Sequence, residues 1–230
     1  MRRVFDRVAS DEKRPSGRSP AGAAGVRTKV KICGVTRPED AAQACRLGAW
    51  AIGMIFVPDT PRFLTVERAR LVAAEIPRGV LKVGVFADAP RSEIRRVDDA
   101  LELDLLQLHG TETDSVVKTL GVQRCVKTVF LTGPERLAFA LSSSAAYLLS
   151  DRPRSGGAAP DAALVVRLCA ERERVLSAGG LTPETVGDRV RRERPWGVDV
   201  SGGVERAPGV KDGQKLESFF DAVARADREE

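Results

Sequence analysis

One histidine, one tyrosine and two methionines stand in this 230-residue chain, and aromatic residues make up only 5% of it. The four cysteines (Cys33, Cys45, Cys125, Cys169) lie far apart, with no Cys-x-x-Cys pair. That spacing, with His109 as the sole imidazole, argues against a zinc site, and no metal is expected. No uninterrupted apolar run approaches the roughly 20 residues that span a bilayer, and the polar N-terminus lacks the apolar core of a signal peptide. The chain is therefore expected in the cytoplasm, with no membrane partner, where disulfides are disfavoured. No serine or cysteine shares a local motif with His109, which argues against a hydrolase triad.

The net charge of +5 is unevenly placed. Residues 1–28 hold seven Lys/Arg and three Asp/Glu, a surplus of four, so the rest of the chain carries about +1. A basic tail, not a basic face, accounts for the charge, and no nucleic-acid partner is expected. The tail is a Pro/Gly/Ser/Arg mixture without apolar period and reads as a disordered extension over 1–28.

From residue 29 to 230 short apolar runs alternate with amphipathic stretches. Strands are expected at 29–33, 51–56, 80–86, 105–108, 125–129, 146–149, 175–178 and 197–200. Helical patterns such as Arg37-Pro-Glu-Asp-Ala-Ala and Lys215-Leu-Glu-Ser-Phe-Phe lie between them, and Thr182-Pro-Glu-Thr reads as a capped N-terminus. Eight such alternations in about 200 residues predict a single-domain (β/α)8 TIM barrel, with a doubly wound open sheet as the competitor.

In a barrel, function sits at the carboxyl ends of the strands. Cys33 closes Val30-Lys-Ile-Cys and Asp151 closes Tyr147-Leu-Leu-Ser-Asp. An acid and a possible base at two strand ends suggest proton transfer, with Lys31 on the face of Cys33 able to favour a thiolate. Ala178-Gly179-Gly180-Leu and Ser201-Gly202-Gly203 follow the last two strands. Glycines there let backbone N–H groups face an anion, which predicts a phosphate site. Arg62, in Thr60-Pro-Arg-Phe63, is placed by a rigid turn to clamp a carboxylate. Gln107 and His109 mark the end of strand four and Asp199 the end of strand eight, where they can position a substrate. The other three cysteines read as buried apolar thiols.

These blocks (Lys31-Ile-Cys-Gly34, Thr60-Pro-Arg62, Leu106-Gln-Leu-His-Gly110, Leu148-Leu-Ser-Asp151, Ser177-Ala-Gly-Gly-Leu181, Val198-Asp-Val-Ser201-Gly-Gly with Pro208-Gly-Val-Lys-Asp212) resemble the phosphoribosylanthranilate isomerase family of tryptophan biosynthesis, in order, over Lys29 to Ala226. The resemblance implies a cofactor-free Amadori rearrangement of N-(5-phosphoribosyl)anthranilate. It assigns Asp151 as general acid and Cys33 as general base. Arg62 would hold the anthranilate carboxylate, Gly179, Gly180, Ser201 and Gly202 the phosphate, and Asp199 would orient the substrate. The implied partner is a small phosphosugar; monomeric and homodimeric barrels share these patterns.

One stretch departs from the family. After the strand-six acid the family carries Gly-Gly-Ser/Thr-Gly and then Phe-Asp-Trp, whereas this chain reads Gly156-Gly-Ala-Ala-Pro160-Asp-Ala-Ala-Leu164. That loop is expected to fold over substrate. Its change motivates two alternatives, a non-catalytic phosphosugar-binding barrel serving as partner or scaffold and a related phosphosugar isomerase with altered substrate.

Overall fold

The computed structural model describes residues 28–153 and 159–229. The extension expected to be disordered, up to residue 27, and the start of the altered loop, up to residue 158, lie outside them. Thr28, counted with the extension by composition, is buried: its N–H and hydroxyl donate to Asp227 at 3.0 and 2.6 Å.

Eight strands alternate with eight helices along the described chain: β1 Lys29–Ile32, α1 Pro38–Arg46, β2 Ala51–Ile55, α2 Val66–Ala74, β3 Leu81–Phe86, α3 Arg91–Leu101, β4 Leu105–Leu108, α4 Asp114–Leu120, β5 Cys125–Val129, α5 Pro134–Ser142, β6 Tyr147–Ser150, α6 Ala162–Glu171, β7 Val175–Ser177, α7 Val186–Glu193, β8 Gly197–Val200 and α8 Gly213–Arg228. Each strand pairs in parallel with the next, and β8 returns to β1 with Lys31 opposite Asp199 and Ile32 opposite Val200. The sheet is closed, so the open doubly wound alternative is excluded. Among the described residues no helix is long and apolar enough to cross a membrane.

Closure gives the strands two faces and hence two cores. Val30, Ile32, Ile52, Leu148, Val198 and Val200 point out to the helices, whereas Ala51, Val83, Leu105, Val126, Leu149 and Leu176 fill the interior. At the amino-terminal end of the barrel Trp50, Trp196 and Tyr147 close the interior, with the Trp50–Trp196 centroids 4.8 Å apart, and Arg174 lies over the Tyr147 ring. Both tryptophans and the one tyrosine of the chain thus lie at the end opposite the expected site.

Element boundaries depart from the sequence reading in ways that matter. The first strand stops at Ile32, which leaves Cys33 as the first loop residue. Helix α7 starts at Val186, not at Thr182: the Thr182 N–H donates to Thr185 Oγ1 at 3.0 Å, closing a turn before the helix. Asp161, in the altered loop, caps α6 by accepting from the N–H groups of Ala163 and Leu164. A small hairpin, β9 Glu205–Ala207 with β10 Val210–Lys211, has no apolar alternation and was not foreseen.

The seam between β8 and β1 relies on Gly197, where an added Cβ would sit 2.8 Å from the backbone oxygen of Lys29. Gly197→Ala should lower the unfolding free energy by about 2 kcal/mol, the usual cost of overpacking against atoms that cannot move. Urea denaturation checks this, and an unchanged midpoint would show that the seam yields freely.

Candidate active site

At the carboxyl end of the barrel a cavity of about 200 Å³ is lined by Cys33, Arg62, Gln107, His109, Asp151, Asp199 and Ser201, among others. A second cavity, about 400 Å³, is lined by Gly179, Gly180, Ser201 and Gly202 and shares Asp151, Asp199 and Ser201 with the first. Every residue expected from the sequence to form the site thus borders one of two adjoining hollows.

Cys33 is buried, its N–H donating to Val200 O at 2.8 Å. Beneath it Lys31, fully buried, donates from Nζ to Asp199 Oδ1 at 2.6 Å. Gly53 makes the room, since a Cβ there would lie 2.9 Å from Cys33 Sγ and 3.1 Å from Lys31 Nζ. Burial pulls the Lys31 ammonium toward neutrality, but Asp199 and Cys33 outweigh it and its pKa ends above the ordinary lysine value. Burial likewise pushes the Cys33 thiol up, opposed by the charges of Lys31 and Lys211.

Asp151 follows the end of β6, its N–H bonded to Val129 O at 3.1 Å. Desolvation raises its carboxyl from 3.8 to about 6, with Asp199 adding to the rise and the Arg152 N–H, donating to Oδ1 at 2.7 Å, holding it back. His109 Nε2 stands 4.0 Å from Asp151 Oδ2 while its Nδ1 meets the Thr128 hydroxyl at 3.2 Å. Gln107 is buried on β4, and its Oε1 has no hydrogen-bond partner among the described residues. An orphaned acceptor facing a cavity is suited to a bound donor.

Arg62 is held on two sides. Its Nε and Nη2 donate to the two carboxylate oxygens of Glu205 at 2.8 and 2.6 Å, and Lys211 Nζ reaches Glu205 Oε1 at 2.8 Å. Its stem passes over Gly34, where φ is +65° and a Cβ would come within 2.5 Å of Arg62 Cδ. Two of five guanidinium N–H donors are thereby engaged, leaving the remainder for a ligand. Lys211 also bonds the Cys33 and Ser201 carbonyls at 2.7 and 3.1 Å, tying the first and last loops together. Glu205 and Lys211 fall within the stretch that carries the family resemblance, but sequence reasoning gave them no role: they lie on the short hairpin, and their burial arises only from tertiary contact.

Gly179 and Gly180 both adopt positive φ, +91° and +78°. Among the described residues no acceptor pairs with the amide N–H of Gly179, Gly180, Ser201 or Gly202, and the buried Ser201 Oγ is also without a partner. Lys127 and Asp88, also near strand ends, serve the scaffold: Lys127 bonds Gly110 O and Glu112, and Asp88 accepts from Thr111.

The profile of a family described as N-(5'phosphoribosyl)anthranilate (PRA) isomerase matches residues 30–222. An N-(5'-phosphoribosyl)anthranilate isomerase from Nitrosococcus oceani is 39% identical over 204 residues, covering 86% of this chain and 98% of that protein. A phosphoribosyl anthranilate isomerase from Thermus thermophilus superposes with a TM-score of 0.79 at 37% identity, covering 86% of this chain and 99% of its own. A phosphoribosyl anthranilate isomerase in complex with reduced 1-(o-carboxyphenylamino)-1-deoxyribulose 5-phosphate superposes with a TM-score of 0.77 at 31% identity, over 85% of this chain and 98% of its own.

The raised carboxyl has a consequence for stability. With a folded pKa of about 6 against an ordinary 3.8, Asp151 favours the fold when protonated, and that contribution is lost as pH rises from about 4 through about 6. Asp151→Asn should therefore gain on the order of 1 kcal/mol of unfolding free energy at pH 7.5, below the full equivalent of the shift because the carboxyl is partly exposed. The gain should vanish toward pH 4. Urea midpoints at several pH values test it, and equal stability of the two proteins at pH 7.5 would refute the desolvation argument.

Proposed function

The chain belongs to the N-(5'-phosphoribosyl)anthranilate isomerase family, and from that premise we propose how its residues divide the isomerisation of phosphoribosylanthranilate, a step of tryptophan biosynthesis, among them. The observation that carries the reading is that Cys33 and Asp151 face one cavity whose walls continue into the unpaired amides of the last two loops. A phosphate held by Gly179, Gly180, Ser201 and Gly202 sets the ribose between acid and base, and the anthranilate carboxylate meets the free edge of Arg62.

Asp151 gives its proton to the ribose ring oxygen as the C1–O bond breaks and the anthranilate nitrogen lone pair forms the C1=N iminium. Cys33, as thiolate, removes the C2 proton, and those electrons flow to the nitrogen to give the enolamine. Protonation at C1 and loss of the C2 hydroxyl proton leave the ketone. The substrate nitrogen is the electron sink, so no cofactor enters the scheme. Gln107, His109 and Asp199 position the sugar, Gln107 through its unpaired carbonyl and Asp199 through the geometry that Lys31 fixes.

The relatives matched along the barrel are named isomerases, which favours turnover over a non-catalytic scaffold. A single copy contains every residue invoked, so monomer and homodimer serve the mechanism equally. The chemistry and its small phosphosugar partner suit the cytoplasm.

Cys33→Ser and Asp151→Asn should each lower kcat at least about 100-fold, the usual loss for a general base or acid, read as the decay of anthranilate-type fluorescence with substrate generated in the cuvette. Near-native turnover by either variant would sink that residue's role. The pH profile has a defined shape, since turnover needs Asp151 protonated and Cys33 ionised while the thiol titrates above the acid. kcat/KM should climb with pH up to about 6, stay level, and fall only beyond the thiol value; a flat profile from about pH 5 to 9 would remove the acid–base pair.

A further inference from the structure

We propose that Arg152 is a further substrate-binding residue, a cation that closes over the phosphate held by the glycine loops and sets the enzyme's affinity for the phosphorylated end of its substrate. The inference rests on the phosphate reading above and adds to it a side chain from a different loop. Arg152 follows the acid Asp151 and is exposed, yet its side chain runs across Gly179 and Gly180. Its Cγ lies 3.2 Å from where a Gly179 Cβ would stand, and its Nη2 and Cζ lie 2.8 and 3.0 Å from where a Gly180 Cβ would stand. Only glycines, both at positive φ, leave room for this approach.

Among the described residues the guanidinium has neither an ion-pair nor a hydrogen-bond partner, unlike Arg62, which Glu205 engages. It lies beside a cavity where amides of two loops and the buried Ser201 Oγ are also unpaired. The cavity's two carboxylates are already engaged, Asp199 by Lys31 and Asp151 by the Arg152 N–H, so the donors left over form the pattern an oxyanion completes. The glycine loops supply only partial charges. A guanidinium supplies a full one in a planar fork that matches two phosphate oxygens.

The test compares wild type, Arg152→Ala, Arg152→Lys and Ser201→Ala, measuring kcat and KM for phosphoribosylanthranilate and the competitive inhibition constant of inorganic phosphate. In Arg152→Ala both KM and the phosphate constant should rise about 10-fold, the effect of one lost charge-assisted contact, with kcat within about 3-fold of wild type. Arg152→Lys should recover part of the loss. The inhibition constant of free anthranilate, which carries no phosphate, should not move. If Ser201→Ala weakens phosphate and Arg152→Ala leaves both constants unchanged, the Arg152 proposal is overturned while the phosphate site stands. If inorganic phosphate does not compete with substrate even in the wild type, the phosphate reading fails and the proposal with it. A fall in kcat at constant KM would mean that Arg152 acts through Asp151, and would equally overturn it.

Discussion

The pairing of Lys31 with Asp199 holds both the barrel and its chemistry. The two residues are in register across the strands that close the sheet, each on the inward face, and their contact is 2.6 Å with Lys31 fully buried. A lone ammonium at that depth would shed its proton and a lone carboxylate would take one up; removing either partner of such a pair typically costs about 3–5 kcal/mol. Aliphatic side chains could close the seam as well or better. What they could not supply is a fixed positive charge beneath Cys33 and a fixed negative charge beside Asp151, so the ion pair is best understood as an electrostatic element that the closure of the sheet protects from water.

A second buried network fixes Arg62 as the first fixes Lys31. Lys211 bonds Glu205 and the carbonyls of Cys33 and Ser201, and Glu205 grips Arg62 at two points. Burial alone would raise the Glu205 carboxyl, but Arg62 and Lys211 outweigh it and hold it below its ordinary value, so it stays ionised. A long side chain that would otherwise sample many rotamers is thereby presented in one, and its ordering entropy is spent on folding and not on binding. The hairpin β9–β10 exists to place these groups, which explains a short, strongly polar insertion between the last strand and the last helix.

The barrel was legible because it is written in local pattern: apolar runs of four to six residues, turn residues, and amphipathic stretches between them. The candidate site was legible where its residues lie at or next to the end of a strand, as Cys33, Asp151 and Asp199 do, since strand ends are what periodicity locates. The glycine pairs could be read because two of them follow consecutive late strands. Sequence reasoning failed where the cause is tertiary. Thr182 looked like a helix cap, yet its N–H is taken by Thr185 and the helix waits until Val186. Glu205 and Lys211 sit in a stretch with no period, and Arg152 drew no role because nothing in one dimension shows that it crosses Gly179 and Gly180.

Burial explains why a proton donor and a proton acceptor cannot share one cavity without help. Desolvation favours the neutral form of both groups, which suits the proposed acid Asp151, raised to about 6, and works against the proposed base Cys33, whose role needs the thiolate. At both groups cations oppose the rise without cancelling it. Lys31 faces the thiol from the same strand and Lys211 bonds the carbonyl of Cys33 itself, while at Asp151 the effect of desolvation exceeds the opposing pull of Lys31 and Arg152. Asp199, the counter-ion of Lys31, raises Asp151 and Cys33 alike, so it keeps the carboxyl protonated to higher pH and makes the thiolate scarcer. For the roles proposed, the two pKa values stand in reverse order, and only a minority of free protein carries both groups in the working state. In the proposed roles the higher thiol pKa makes the thiolate a stronger base than a solvent-exposed one while fewer molecules carry it, and the raised carboxyl keeps its proton to higher pH at some cost in acidity.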